Sequence, residues 1–289
     1  MHRSTRLARI ALALPAYGLI FLLVGIPAVG SLWLSFHKWK IATFKAGVPF
    51  VGADNYAAAL ADPAFIHSIT LTIGFTLAAL AIELVLGTLL AVLLDRELRG
   101  GGVLRALALL PMFVTNVVIG LIFRILLSYD FGVVNWFGSL FGLGPVPWLG
   151  DPALAFWTLI LVDAWNTTSF VALLVLAGLR ALPKEPLESA LVDGASAWAR
   201  FRYVMFPLLR PVIAVAALWR TIDLFRIFDV VFSLTGGGPS DATETASIFV
   251  YRHALGPLNL GLASAMSFII LAVLAVLLAA ESVLLRRRT

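Results

Sequence analysis

Polar side chains recur on one helix face of two otherwise apolar segments of this chain. The first face holds Asp163, Asn166 and Thr167 together with Phe170, and the second holds Arg220 and Asp223 together with the apolar Leu224 and Ile227. Positions i, i+3, i+4 and i+7 share a face, so each set can line a cavity. Carboxylates and amides exchange hydrogen bonds with hydroxyl groups, and an aromatic ring such as Phe170 or Trp165 can stack on the C–H face of a sugar.

The charged residues of these faces have a second explanation. Ionisable groups within a membrane tend to pair, so Asp163, Arg220 and Asp223 could simply neutralise one another across a helix bundle. Both explanations stay open on the sequence. On an ideal helix Arg226 and Asp229 point away from the centre of the face that runs from Arg220 to Ile227. We expect them to form a structural pair, within the fold or against a neighbouring subunit. Arg220 is also a candidate for holding an anionic group on a ligand.

The composition defines the setting of these faces. The chain has 289 residues, of which 61% are apolar and 13% are charged, and its mean hydropathy is +0.99. Soluble domains are about half apolar and about a quarter charged, so this surface must largely face lipid. A spanning helix needs about 20 mostly apolar residues. An all-α integral membrane protein with six transmembrane helices is predicted, at residues 10–36, 69–94, 106–127, 153–179, 212–234 and 261–285.

Lysine and arginine in the loops predict the orientation. Fourteen of them fall in the termini and in the loops on one side of the membrane, against four on the other side. An excess of positive charge marks the cytoplasmic side, so both termini and the loop at 182–210 are predicted to be cytoplasmic. Asp163 and Leu224 then lie about ten residues below the outer ends of their helices. A rise of 1.5 Å per residue puts both roughly 15 Å deep, near the midplane.

The loop at 182–210 is the longest segment on the predicted cytoplasmic side. Residues 187–193 can form about two helical turns, and Gly194 permits a break in the backbone. Residues 195–205 can form a second short helix, which we expect Pro207 to stop. The pattern predicts a compact helical knob that can dock a partner. The alternative is an ordinary helix–turn–helix connection that lies on the membrane surface.

The residues of this loop resemble a known motif. Residues 188–195 read Glu-Ser-Ala-Leu-Val-Asp-Gly-Ala, and residues 204–207 read Val-Met-Phe-Pro. The pattern is similar to the EAA loop of membrane subunits of binding-protein-dependent ABC importers: Glu-Ala-Ala, three residues, Gly, nine residues, then Ile-x-Leu-Pro. Four positions match at the same spacing, and the replacements keep small or apolar character. The resemblance implies that coupling to an ATPase is carried by Glu188, Ala190, Asp193, Gly194 and Pro207.

Two further stretches resemble the carbohydrate (maltose-type) branch of these importers, in its larger membrane subunit class. They are residues 51–56, and residues 223–239 together with Thr243-Glu-Thr245. The resemblance implies the type I importer fold, with one transmembrane permease domain over residues 1–289, in the bacterial cytoplasmic (inner) membrane. It also implies that an extracytoplasmic solute-binding protein hands over a di- or oligosaccharide, a polyol or a glycoside. Aligned on the tryptophan of the fourth helix and on residues 235–239, it assigns the sugar contacts to the same two polar faces.

Further partners follow from the resemblance, namely a second permease subunit, expected to be a different chain, and an ATPase dimer. The sequence has no Gly-x4-Gly-Lys-Ser/Thr stretch, so we expect the ATPase to bind ATP and this chain to be no enzyme and to need no cofactor. It has no cysteines, and its histidines lack metal-ligand spacing, so neither a metal site nor a catalytic site is expected. Membrane lipid is an expected partner. Nucleic acid is not, because the basic residues do not cluster with aromatic ones.

One alternative function stays open, an ion-coupled secondary transporter. It would use Glu83, Asp163 and Asp223 as an ion relay. Transporters of that class usually have more helices or an inverted repeat within one chain, and neither is visible in this sequence. The alternative also gives no reason for the EAA spacing.

Overall fold

The computed structural model describes residues 14–40, 47–96 and 100–286. Residues 10–13, with which the first predicted span begins, lie outside these ranges. Several of the basic residues that predict the orientation also lie outside them, namely Arg3, Arg6, Arg9, Lys45, Arg99, Arg287 and Arg288. The orientation across the membrane therefore stays a prediction.

The described residues are almost entirely helical, with two isolated β-bridges and no strand. The helices are α1 (Leu14–Ser35), α2 (Asp54–Leu60), α3 (Pro63–Asp95), α4 (Gly101–Phe113), α5 (Asn116–Leu126), α6 (Val133–Leu140), α7 (Pro152–Ala181), α8 (Glu185–Val192), α9 (Ala197–Phe225), α10 (Asp229–Leu234), α11 (Ala246–Leu255) and α12 (Leu260–Arg286).

Five of these helices are long and apolar enough to cross a membrane, namely α1, α3, α7, α9 and α12. Helices α4 and α5 meet the same criterion together but are bent by 96°, so they supply a sixth crossing if the pair forms one span. The prediction of an all-α membrane fold is confirmed.

The third predicted span, at 106–127, is not one continuous helix. Helix α4 ends in a 3₁₀ turn that contains Pro111, and Val114 and Thr115 are extended, with ψ of 133° and 143°. Proline has no N–H to donate to the helical ladder, and the two extended residues redirect the chain before α5 begins. The polar Asn116 therefore starts a new helix in mid-span.

The fifth predicted span, at 212–234, is also wrong as a continuous helix. Helix α9 ends at Phe225, Arg226 and Phe228 depart from helical geometry, and α10 begins at Asp229. The break contains no glycine or proline, so the sequence carries no local signal for it. Non-helical backbone inside a membrane is tolerated where it is buried in protein or lines a cavity.

Pro207 does not stop a short helix, in contrast to the prediction. Helix α9 runs from Ala197 through Pro207 and Pro211 to Phe225. A wider π-type turn at Phe201–Met205 directly precedes Pro207. Such a turn loosens the hydrogen-bond ladder at the point where proline lacks a donor, so the helix continues.

The chain divides into two compact units, and the expectation of one permease domain stays a prediction. One unit comprises the described residues up to Ile66 with Phe249–Ala272. There, Asn55 donates from Nδ2 to the carbonyl oxygens of Ser35 (2.9 Å) and His37 (3.0 Å), and the hydroxyls of Tyr56 and Ser35 lie 2.7 Å apart. Helix α2 thus ties down the end of α1.

The other unit comprises His67–Ile248 and the described residues from Val273 onward. Its core lies around α7, with Phe75, Leu159 and Val231 fully buried. Small residues allow close helix contacts, as is usual in membranes. A Cβ at Gly87 would meet Val171 of α7 at 2.5 Å, and one at Gly178 would meet Val212 of α9 at 2.9 Å.

Candidate functional site

Arg220 is at the centre of a buried charge cluster that joins three helices. Only 2% of its surface is exposed. Its Nε donates to Glu83 Oε2 at 2.7 Å, and its Nη2 donates to Glu83 Oε1 at 2.9 Å and to Asp163 Oδ2 at 2.8 Å. Its Nη1 donates to Asp223 Oδ2. Helices α3, α7 and α9 are therefore connected through one guanidinium.

This arrangement explains how the charges are stable within a span. An unpaired charge in hydrocarbon is strongly unfavourable, and even a buried ion pair needs good geometry and further hydrogen bonds to offset its desolvation. The planar guanidinium meets Glu83 with two parallel hydrogen bonds, the arrangement that suits a carboxylate best. Glu83 is fully buried, and Asp163 is 7% exposed. Asp163, Arg220 and Asp223 therefore do pair with one another, as the second explanation of these charges proposed.

The same residues also line open space. Two adjoining cavities, of about 280 and 190 Å³, share Asn116, Arg220 and Asp223 in their walls. We refer to them as the double cavity. The larger one is lined by Asp163, Arg220, Asp223, Leu224 and Ile227 among others, and the smaller one by Asn166, Thr167, Phe170, Arg220 and Asp223 among others. All eight residues of the two predicted polar faces thus line the double cavity.

Hydrogen bonds fix the polar groups of the smaller cavity. Asn166 donates from Nδ2 to Asn116 Oδ1 at 3.0 Å, and its own Oδ1 has no hydrogen-bond partner among the described residues. The Thr167 hydroxyl donates to the backbone oxygen of Asp163 at 2.6 Å. Phe170 and Trp219 supply aromatic walls. Trp165, the other aromatic candidate, is absent from the lining and packs edge-on against Phe123 with ring centroids 5.3 Å apart.

The expectation that Arg226 and Asp229 turn away and pair with each other within the fold is wrong. They do not turn away as a structural pair, because α9 ends before them and helical geometry no longer applies. Both line the larger cavity. Arg226 Nη2 lies 3.4 Å from Asp223 Oδ1, and no ion pair involves Asp229 among the described residues. The break therefore adds a cation and a carboxylate to the wall.

Three lining or supporting residues escaped the sequence reasoning as site members. Glu83 could be found as an intramembrane carboxylate, but nothing local links it to Arg220, 137 positions away. Asn116 marks the start of α5 only once the bend is known. Trp219 precedes Arg220 directly and therefore falls off the predicted face, although its large ring still reaches the cavity wall.

The loop at 182–210 contains the predicted helical knob. Helix α8 carries Glu188 and Ala190, and Asp193 is its C-terminal cap. Gly194 has a φ of +74°, a left-handed conformation that glycine adopts without strain. The Ser196 hydroxyl then caps the start of α9 by accepting from the Ala199 N–H at 3.2 Å. Pro207 lies beyond the π-type turn of α9.

Apolar side chains project from this knob. Val192 is 88% exposed, Tyr203 74% and Trp198 68%. Helix α8 is acidic in its first turn, with Glu185 and Glu188. A partly apolar and partly acidic surface of this kind suits a protein partner better than a solvated connection.

A comparison with known protein families identifies the family of this chain. A family model described as "Binding-protein-dependent transport system inner membrane component" matches residues 83–289, which is more than half of the chain. The chain belongs to this family. It is a multi-pass protein of the inner membrane, a transport subunit and not an enzyme, and its motif at residues 188–207 is characteristic of the family.

Relatives match this permease over most of its length. It is 38% identical to the trehalose/maltose transport system permease protein MalF of Thermococcus litoralis, over 93% of this chain and 91% of the relative. It is 35% identical to the trehalose transport system permease protein SugA of Mycobacterium tuberculosis, and 34% identical to the sulfoquinovosyl glycerol transport system permease protein SmoG of Agrobacterium fabrum. Each of these two matches covers 92% of this chain, and they cover 84% of SugA and 86% of SmoG.

A solved structure confirms the fold of the permease. A chain of a bacterial ABC transporter involved in the import of the acidic polysaccharide alginate superposes with a TM-score of 0.84 and 23% sequence identity, over 99% of both chains. The likeness confirms the ABC importer permease architecture that the residues at 182–210 suggested.

Proposed function

We propose that this permease is the membrane subunit of an ATP-driven importer that moves a saccharide or saccharide derivative across the inner membrane. The observation that carries the proposal is the double cavity. Two helix faces, one on α7 and one on α9, meet around shared lining residues and present carboxylates, an amide and aromatic rings. Such a lining suits the hydroxyls and C–H faces of a sugar. The names of the relatives, which include trehalose and maltose systems, support the same substrate class.

The substrate-contacting residues in this proposal are the eight lining residues of the two faces. The break at Arg226 to Phe228 matters here because it opens the wall beside Leu224 and Ile227. Sugar hydroxyls would approach Asp163 and Asp223 on the sides that Arg220 leaves free.

The coupling element in the proposal is the knob from Glu188 to Pro207. Its partner would be a separate ATPase dimer, which binds the ATP. Because Gly194 and the Ser196 cap fix α8 at an angle to α9, and α9 continues unbroken to Phe225, a push on the knob would be carried to the cavity wall. A second permease subunit would complete the membrane part, and an extracytoplasmic binding protein would deliver the substrate. The matched alginate transporter, which has been solved with its periplasmic protein, is a parallel for that delivery.

The ion-coupled alternative is weaker because of the contacts of Arg220. All three carboxylates of the supposed relay, Glu83, Asp163 and Asp223, already bind this one guanidinium. These hydrogen bonds would have to break before a transported ion could bind the three carboxylates together.

Reconstitution distinguishes the two functions. The permease is placed in proteoliposomes alone, or together with its second permease subunit, ATPase and binding protein, and uptake of radiolabelled trehalose and maltose is followed. We expect uptake only with the full set of partners and with ATP inside the vesicles. Uptake by this chain alone that follows a proton or sodium gradient and ignores ATP would overturn the proposal.

A further inference from the structure

Among the buried side-chain atoms that line the double cavity and lie in the described residues, the one without a hydrogen-bond partner is an acceptor. Arg220 spends four N–H contacts on carboxylates, the Thr167 hydroxyl donates to the backbone, and the Asn166 amide nitrogen donates to Asn116. Asn166, by contrast, is 8% exposed, and its buried Oδ1 accepts no hydrogen bond among the described residues. A buried acceptor without a donor is unfavourable, so this oxygen calls for a ligand that donates.

The formal charges of the lining also favour a ligand that donates hydrogen bonds or carries a positive charge. The lining carries three carboxylates, those of Asp163, Asp223 and Asp229, against the two guanidiniums of Arg220 and Arg226. Glu83, directly behind Arg220, adds a fourth carboxylate. Charges in a confined site with low-dielectric walls act on a ligand much more strongly than charges on an open surface. The wall is therefore net acidic whether or not Glu83 is counted.

The two cations are poorly placed to bind an anion. Arg220 is 2% exposed, and its guanidinium is held by carboxylates from three helices. Arg226 has a 74% exposed side chain and lies beside Asp223, which partly neutralises it. An anionic ligand would have to displace one of these carboxylates or accept the repulsion of Asp229. Recognition of an anionic group by Arg220 is thus disfavoured by the geometry.

We propose that the double cavity is an anion-excluding filter. The saccharide that it accepts carries no carboxylate, sulfonate or phosphate, and Asp229 and Asn166 Oδ1 accept hydrogen bonds from its hydroxyl or ammonium groups. This inference rests on the proposed function as a saccharide importer. It separates this permease from the matched transporter, which is involved in the import of the acidic polysaccharide alginate, and from the relative that is named for sulfoquinovosyl glycerol.

The chain contains no cysteine, so one introduced thiol can report the potential inside the cavity. Thr167→Cys places a thiol in the wall of the smaller cavity, beside Arg220 and Asp223. The full chain, purified in detergent, is treated with three methanethiosulfonate reagents: a cationic one with a trimethylammonium group, an anionic one with a sulfonate group, and a small neutral one. Each rate is divided by the rate of the same reagent with 2-mercaptoethanol.

We expect the cationic reagent to react at least about tenfold faster than the anionic one after this correction. A tenfold difference between the two rates requires only a modest negative electrostatic potential in the cavity. Asp229→Asn should lower the ratio about threefold, and Arg226→Gln should raise it by a similar factor. The opposite signs make each variant a control for the other. Size-exclusion profiles and equal rates with the neutral reagent show that the variants are folded.

Three results would overturn the filter. They are a corrected ratio near one or below one, a ratio that neither charge variant changes, and a thiol that even the neutral reagent cannot reach. None of these readouts requires transport, so they are independent of the uptake assay for the proposed function. Normal ATP-driven uptake together with a ratio near one would retain the importer and reject the filter.

Discussion

Arg220 of α9 and Glu83 of α3 are joined by two parallel hydrogen bonds, from Nε to Oε2 at 2.7 Å and from Nη2 to Oε1 at 2.9 Å. They are 137 positions apart in the sequence, and both are almost completely inaccessible to solvent. The pair links α9 to α3, and it leaves Nη1 and a second N–H of Nη2 to contact Asp223 and Asp163.

Arg220→Gln should strongly destabilise the permease. The change leaves Glu83, Asp163 and Asp223 close together without their cation, and removing one partner of a buried pair costs about 3–5 kcal/mol. We expect a large fall in the apparent Tm of the detergent-purified protein, measured by intrinsic tryptophan fluorescence. The double variant Glu83→Gln with Arg220→Gln removes one carboxylate as well, and it should regain at least half of that loss. If the loss in the double variant equals the sum of the losses in Glu83→Gln alone and Arg220→Gln alone, the two residues are not energetically coupled.

Gly194→Val should uncouple the knob from transport. The φ of Gly194 is +74°, and a β-branched residue is strongly disfavoured there. A Cβ at this position would meet nothing within 4 Å, so the backbone and not crowding is the cause. We expect ATP-driven uptake to fall below about a tenth, while the amount of protein in the membrane, measured by immunoblot, stays unchanged.

Gly194→Asn is the matched control, since asparagine tolerates the left-handed region far better than valine. It should retain at least about half of the uptake. Equal loss in both variants would show that the side chain itself, and not the backbone conformation, interferes with the partner.

Much of the site was predictable because helical periodicity decides which residues share a face. Asp163, Asn166, Thr167 and Phe170 fall on one side of α7, and all of them line the double cavity. The part that could not be predicted depends on tertiary contacts. The α3 segment around Glu83 contains no second charge that would indicate its partner, and the break after Phe225 has neither glycine nor proline.

The fold, too, was predictable where a local pattern decides and was not predictable where tertiary packing decides. Span length and apolar content suffice to place α3, α7 and α12, since a spanning helix must satisfy its own backbone. They do not suffice at Pro111, where the bend produces two shorter helices, or at Pro207, where a π-type turn allows the helix to continue. A proline shows where the ladder loses a donor, but the neighbouring packing decides between a bend, a stop and a continuation.

Asn135 should control the order of the segment between α5 and α7. Its Nδ2 donates to the backbone oxygens of Ser128, Tyr129 and Val146, and its Oδ1 accepts from the Val146 N–H at 3.1 Å and the Trp148 Nε1 at 2.9 Å. Each hydrogen bond contributes about 1 kcal/mol, and 1.4 kcal/mol is tenfold in an opening equilibrium. Asn135→Leu should therefore speed amide exchange in this segment about tenfold to a hundredfold, as followed by mass spectrometry.

Two further variants separate the contributions of the individual hydrogen bonds to the protection of this segment from amide exchange. Asn135→Asp keeps the acceptor and loses the donors, so it should fall between the parent and Asn135→Leu. Trp148→Phe removes the indole donor and some ring volume but keeps the other hydrogen bonds of Asn135, so it should change exchange less than Asn135→Leu. Unchanged protection in all three would mean that the apolar contacts of the segment, and not Asn135, hold it in place.

Gly178 of α7 should be needed for the close approach of this helix to α9 at Val212. A Cβ at Gly178 would lie 2.9 Å from both methyl groups of Val212, closer than real side chains pack. Gly178→Ala should therefore lower stability by about 1–3 kcal/mol through overpacking, although alanine is the better helix former. The apparent Tm gives the measurement. Val212→Ala should restore most of the loss in the double variant, because it removes the two methyl groups that clash.

Gly74→Ala in α3 is the control: nothing lies within 4 Å of its added Cβ, so the change should be neutral or slightly stabilising. A loss in Gly74→Ala as large as that in Gly178→Ala would show that the effect does not arise from the contact with α9.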